Sequence, residues 1–372
     1  LKERTILKAK TIFLVHLQKF IGVLLNMITV VLGGQIGSEG KGKIAAYLAS
    51  EHEVSIRTGG PNAGHTVNLN GNKYIVQLMP CAFVNEKCLL AMGAGSLINP
   101  EILLSEIDRL NIPKDRLIVD PQAGIIEERH IQFEAEMLKN RLSTGSGVGS
   151  ATVEKIMRKP DFRLAKDIKE FQPYLANVSE IANEYLDKGK RIMIEGTQGF
   201  DLSVHHGSYP YVTSRDTTAA TFCGEAGLSP RFVDEIVLVL RTYPIHSSNG
   251  PLHEEITWDD VTMLANSKNK IQETTSVTKK IRRVGKFDED LVERAVRINR
   301  PTQLAINFVD YIDSSDYKVN KYAQLSNKSK KFIEDLERKY GTPVTLLGTG
   351  PGQDDLIDLR TEKLKTYHEH IS

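Results

Sequence analysis

Short apolar runs that end in glycine recur along this chain. Residues 28–32 lead into a glycine-rich stretch at 33–42, and residues 54–57 into a second at 59–65. Residues 89–92 precede Gly93-Ala94-Gly95, residues 191–194 precede the loop 195–199, and residues 236–240 and 304–307 repeat the pattern. Runs this short and mainly apolar, most of them leading into glycine, predict buried strands. Longer stretches with helical spacing lie between them, at 43–50, 100–110, 131–140, 175–188 and 330–339. Strand, glycine loop and helix in succession predict an α/β fold with a mostly parallel central sheet. A P-loop-like glycine loop follows its first strand. No long Pro/Ser linker, low-complexity tract or repeat divides the sequence. Residues 27–372 therefore read as one large domain with inserted helical and loop subregions. In such a sheet the loops at the strand C-termini gather the functional residues on one rim.

Residues 1–26 do not fit that pattern. Lys2, Arg4, Lys8 and Lys10 precede an apolar stretch at 12–25 that His16, Gln18 and Lys19 interrupt. The stretch is too interrupted to span a membrane and lacks a small-residue cleavage site. The expectation is a non-native or poorly ordered extension, with Met27 opening the domain. The 372 residues carry a net charge of +1, which argues against a protein that coats nucleic acid but allows a local anion site. The cysteines Cys81, Cys88 and Cys223 are odd in number and lack CxxC spacing. They read as reduced thiols of a cytoplasmic protein.

Six segments carry candidate chemistry. The first runs from Gly33 through Gly37-Ser38-Glu39-Gly40-Lys41-Gly42-Lys43. Glycines between strand and helix let backbone N–H groups face an anion, and the lysines add charge. The next residue is Ile44, so the hydroxyl of a generic P-loop is absent. The second is Gly59-Gly60-Pro61-Asn62-Ala63-Gly64-His65-Thr66, a histidine in what reads as a ligand-approaching loop. The third, from Ser143-Thr144 to Gly149-Ser150, alternates hydroxyls with glycines and suits phosphate, sugar or a flexible link. The fourth joins Glu195-Gly196-Thr197-Gln198-Gly199 to a His206–Ser214 stretch that reads HGSYPYVTS. The fifth, from Thr274 to Gly285, clusters Lys279, Lys280, Arg282 and Arg283 with hydroxyls, as a dicarboxylate site or a solvated basic loop would. The sixth is the turn Gly348-Thr349-Gly350-Pro351-Gly352.

Taken in order, these strings resemble the adenylosuccinate synthetase family, from Met27 to the C-terminus. The resemblance implies a ligase that joins L-aspartate to C6 of a purine nucleoside monophosphate. A triphosphate first phosphorylates O6, and the aspartate amine then displaces phosphate. It implies Mg2+, a homodimer, no membrane and no direct nucleic-acid binding. Lys41 resembles the lysine that cradles the transferring phosphate, and His65 the general acid. Gly37, Glu39, Gly40, Gly42, Lys43 and Thr66 resemble the remaining phosphate-site positions. Asp310, Gly348 and Gly350 resemble those around the triphosphate base. Asn62, Thr144, Gln198 and Thr213 look like the monophosphate ligands. Arg158 looks like the arginine that reaches a neighbouring subunit's nucleotide site. Thr278, Lys280 and Arg282 align with the aspartate loop, Lys280 standing where the family has arginine. The implied metal positions are Ser38 and Gly64.

The largest departure is Ser38, where the family carries an aspartate that removes the N1 proton of inosinate. Serine is no base near neutral pH unless activated. A short hydroxyl frees space and removes charge beside the purine 2-position, as a guanine would need. This resembles a phage branch that aminates deoxyguanylate on the route to 2-aminoadenine DNA. The expected substrates are therefore dGMP, aspartate and ATP, with dATP or GTP as other donors. The alternatives are the ordinary reaction on IMP with GTP, or a non-catalytic nucleotide-binding relative.

Overall fold

The computed structural model describes residues 27–137, 144–246, 250–274 and 281–364. The first strands are β1 (Ile28–Gly33), β2 (Val54–Arg57), a hairpin of β3 (His65–Leu69) and β4 (Asn72–Val76), and β5 (Leu89–Met92). Then come β6 (Leu97–Ile98), β7 (Leu117–Val119), β8 (Gly124–Ile125), β9 (Ile192–Glu195) and β10 (Val233–Arg241). The chain continues with β11 (Ile245–His246), β12 (Glu255–Ile256), β13 (Arg283–Gly285), β14 (Gln303–Asn307), β15 (Val344–Gly348) and β16 (Leu356–Asp358). Nine of these form the central sheet, in the order β16-β15-β14-β10-β1-β9-β2-β5-β7. All neighbours in it are parallel except β15 and β16.

β1 sits in the middle, and every residue of it is buried. A parallel strand covered on both faces has to be apolar at successive positions. The period of two then divides its side chains between two cores. Val30 and Leu32 pack with Ile192, Ile194, Leu238 and Leu240 on one face. Val31 packs with Met193, Val237 and Val239 on the other. Capping side chains set several covering helices. Asn99 accepts from Ile102 N–H at 3.1 Å to start Pro100–Arg109. Asp288 and Ser326 do the same for Glu289–Asn299 and Asn327–Tyr340.

The predicted α/β class and mostly parallel sheet are present. The helix expected at 43–50 begins earlier, spanning Lys41–Leu48. Lys41 and Gly42 therefore belong to its first turn and not to the loop. His65, read as a loop residue, opens β3. The hairpin β3–β4 and the helices Val148–Met157, Ala219–Ala226, Trp258–Leu264 and Glu289–Asn299 are additional to the predicted elements. The expectation for residues 1–26, and residues 138–140 of the predicted helix 131–140, fall outside the described residues.

Candidate active site

The central strands deliver polar side chains at their C-terminal ends. Arg57 ends β2, Glu195 ends β9, Arg241 ends β10 and Asn307 ends β14, while β15 ends in Gly348. Because these strands run parallel, the ends share one rim with the loop after β1. Ligands bind at that edge of open α/β sheets.

The phosphate-type loop is braced from within. Glu39 is fully buried, and its Oε1 accepts from the N–H groups of Gln35 at 3.2 Å and Gly37 at 2.8 Å. Its Oε2 accepts from Lys41 Nζ at 2.6 Å. Glu39 thus shapes the loop from inside. Gly40 caps the following helix in the left-handed region, at φ 86°, with no side-chain cap. That leaves first-turn N–H groups for an anion. A Cβ on Gly42 would lie 2.9 Å from the His65 Cβ, so glycine is what lets the helix meet β3. Thr66 follows His65 along that strand, half-buried. Asn307 Nδ2 donates to the carbonyls of Glu39 at 2.8 Å and Gly40 at 3.3 Å, pinning the loop's far side. Lys43 reaches further, donating to the carbonyls of Gly350 at 2.7 Å and Asp355 at 2.6 Å.

Behind the loop lies a buried charged cluster. Glu195 Oε1 accepts from Arg57 Nη1 at 2.8 Å and His65 Nδ1 at 2.5 Å, and Oε2 accepts from Cys81 N–H at 2.6 Å. Burial pushes the Glu195 carboxyl up, but Arg57 and His65 outweigh it and bring it down to about 2. Burial, and then Arg57, push His65 down to about 4, so its ring is neutral at pH 7. Glu195 fixes the tautomer by accepting a hydrogen bond from Nδ1–H. His65, Cys81 and Glu195 bring possible metal ligands together. Arg57 already neutralises that carboxylate, which disfavours a cation there.

Three predicted monophosphate ligands meet directly. Gln198 Nε2 donates to Asn62 Oδ1 at 2.8 Å, and Asn62 Nδ2 donates to Thr213 Oγ1 at 3.3 Å. Thr144 is exposed and bonds Ser146 at 2.9 Å, apart from that trio. Arg158 is exposed just beyond the helix Val148–Met157, at φ 55°. Gly64 is exposed, and Ser38 is exposed at φ 60°. Ser38 Oγ accepts from Arg282 Nη1 at 2.7 Å, and its carbonyl accepts from Arg241 Nη1 at 2.9 Å. Arg241 also pairs with Glu273 and lies 4.0 Å over the Phe308 ring. Thr278 and Lys280 lie outside the described residues. Asp310 follows β14, and burial pushes its carboxyl up to about 7. Burial takes Lys43 down to about 8.

Arg57, Arg241, Asn307 and Arg215 were not singled out from sequence. Glu195 was quoted in a motif without a role of its own. For Arg57, Arg241 and Asn307 the available signal was a polar residue at the end of an apolar strand run.

The adenylosuccinate synthetase family model matches residues 30–170 and 162–318. The adenylosuccinate synthetase of Methanocaldococcus jannaschii is 43% identical over 349 residues, covering 91% of this chain and 99% of that protein. That of Pyrococcus horikoshii is 41% identical over 340 residues, covering 89% and 98%. The fully ligated adenylosuccinate synthetase of Plasmodium falciparum shares the fold, with a TM-score of 0.81 at 21% identity over 90% of this chain and 99% of that one. The cyanophage S-2L succinoaminodeoxyadenylate synthetase, bound to dGMP and dATP, gives 0.78 at 28% identity over 93% and 99%. A rim of strand ends arranged around an internally braced glycine loop, and these matches along nearly the whole chain, lead to one conclusion: the chain belongs to the adenylosuccinate synthetase family, a family of carbon–nitrogen ligases.

Proposed function

We propose that this chain joins L-aspartate to C6 of a 6-oxopurine nucleoside monophosphate through a 6-phosphoryl intermediate. The observation that carries the reading is the 2.7 Å bond from Arg282 to Ser38. It brings Arg282, expected to grip aspartate, against the phosphate loop, where amine and phosphoryl group have to meet. Lys41 and the first-turn N–H groups hold the transferring phosphate. Asn62, Gln198 and Thr213, with Thr144, hold the monophosphate. Asp310, Gly348 and Gly350 flank the triphosphate base. Arg282 grips aspartate with Thr278 and Lys280. His65 is neutral as it stands, and a bound phosphate supplies the negative charge that favours a proton on Nε2, from which it acts as general acid. Arg158 completes a neighbouring subunit's site in a homodimer.

The metal expected here is magnesium. Its chemistry is to neutralise the triphosphate oxygens. The Gly64 carbonyl and the Ser38 hydroxyl are neutral oxygens without a carboxylate, and Arg282 already bonds Ser38. That donor set suits magnesium arriving on the triphosphate with its own waters, and not a protein-built cage.

The relatives at 41–43% identity are archaeal and named adenylosuccinate synthetase, which favours the ordinary substrate pair, IMP with GTP. They lend no support to the phage placement. A second reading, dGMP with ATP or dATP, is favoured by Ser38, which puts a neutral hydroxyl where the family base belongs. The structural neighbour that binds dGMP and dATP supports it. The test is aspartate-dependent phosphate release by the full chain with magnesium, using IMP and dGMP in parallel against GTP, ATP and dATP. Release with IMP alone establishes the ordinary reaction, and release with dGMP alone the second reading. Silence with every pair overturns both.

A further inference from the structure

We propose that Arg215, acting through Thr197, is a positioning residue that sets the direction of the monophosphate-binding hydrogen-bond chain and leaves Thr213 as a donor. The inference rests on the reading of Asn62, Gln198 and Thr213 as monophosphate ligands. Arg215 Nη1 donates to Thr197 Oγ1 at 3.3 Å, and Thr197 Oγ1 donates to Gln198 Oε1 at 2.7 Å. From there the chain runs through Gln198 Nε2 to Asn62 Oδ1 and through Asn62 Nδ2 to Thr213 Oγ1.

Its direction follows from chemistry. A guanidinium has donors and no acceptor, so Thr197 has to accept from Arg215. The Thr197 proton is then free for Gln198, whose amide oxygen must face it. That orientation turns the Gln198 NH2 toward Asn62, and Asn62 in turn directs its NH2 at Thr213. Thr213 Oγ accepts at this joint, which leaves its own O–H to donate outward. An outward hydroxyl donor suits an anionic oxygen such as a phosphate's. Without Arg215 the whole chain could reverse, and Thr213 would then donate its O–H to Asn62 and turn only lone pairs outward.

The anchor is built in. Arg215 Nη2 donates to Thr58 Oγ1 at 3.2 Å and pairs with Glu225, while the guanidinium lies 5.0 Å over the Phe222 ring. Room for the Arg215–Thr197 contact comes from Gly59. At φ +100°, a Cβ there would lie 2.3 Å from both Arg215 Nη1 and Thr197 Oγ1.

The test uses three variants of the full chain, with calorimetric binding of IMP and dGMP and of the triphosphate, alongside melting temperatures. Thr197→Val removes the hydroxyl, keeps the shape and leaves the Arg215–Glu225 pair in place. It should weaken the monophosphate about tenfold with triphosphate affinity unchanged. Thr197→Ser restores the hydroxyl and should bind within about twofold of wild type. Arg215→Met should reproduce the Thr197→Val loss, and if it fails to fold the threonine pair still decides. Wild-type affinity in Thr197→Val, or an equal loss in Thr197→Ser, overturns the relay while the proposed function stands. A wild type that binds neither monophosphate overturns the proposed function, and the relay with it.

Discussion

Arg282 donates to Ser38 across 2.7 Å, so an aspartate at that position would meet a guanidinium at once. Ser38→Asp should raise turnover of IMP, by supplying the missing base, and lower that of dGMP, by crowding and charging the guanine 2-amino side. Parallel rate measurements on the two nucleotides check this, and an unchanged dGMP rate would sink the steric account. Replacing His65 with Asn should slow phosphate release by about 10²–10⁴-fold. A near-normal rate would remove His65 from the chemistry. Lys41, His65, Asn62, Gln198 and Thr213 could be picked from sequence because glycine or a fixed string surrounds each. Arg57, Glu195 and Arg215 could not be given roles. Their meaning comes from partners 138 and 10 residues away in the chain, and no local pattern records such pairings.

Among the elements, the helix Lys41–Leu48 and the hairpin β3–β4 meet where Gly42 approaches the His65 Cβ. Alanine favours a helix over glycine by about 1 kcal/mol, yet its Cβ would force the two apart. Gly42→Ala should therefore cut the rate by on the order of 10²-fold, because small displacements of reacting groups are that costly. Steady-state kinetics with a melting curve separates this from unfolding. Normal kinetics would mean that the contact is slack. Strands were legible because burial on both faces requires unbroken apolar runs, as Val30–Leu32 of β1 and Val237–Leu240 of β10 show. The hairpin was not, since β4 is exposed at Asn72 and Lys73 and half-buried at Tyr74 and Ile75. The helix Ala219–Ala226 buries Ala219, Phe222, Cys223 and Ala226 at helical spacing, but only Phe222 among them is large, so the stripe is faint in the sequence.

The whole molecule holds several buried histidines below their ordinary range. Burial depresses His52, His65 and His246, the last two to about 4. In each, the folded state resists a proton that the unfolded chain accepts from about pH 6.5 downward. The unfolded state then binds more protons, and stability falls as pH drops from that value toward 4. The melting temperature should be lower at pH 5 than at pH 7, and a flat profile by calorimetry would contradict this. The helix Val148–Met157 presents Val153, Ile156 and Met157 to solvent beside Arg158, which fits the proposed homodimer. Sedimentation should show a dimer, and Arg158→Ala should lower activity about tenfold or more without dissociating it.

Lys43 fastens the first helix to carbonyls 307 and 312 residues further along the chain. The loop that would hold a triphosphate is thus completed by segments that leave the ribosome long after it does. A partly synthesised chain can own the glycine loop and His65 and still lack the clasp around them. Until residues 350–355 have been made and folded back, the first helix lacks this fastening, and a nascent chain should grip a triphosphate less firmly than the folded protein.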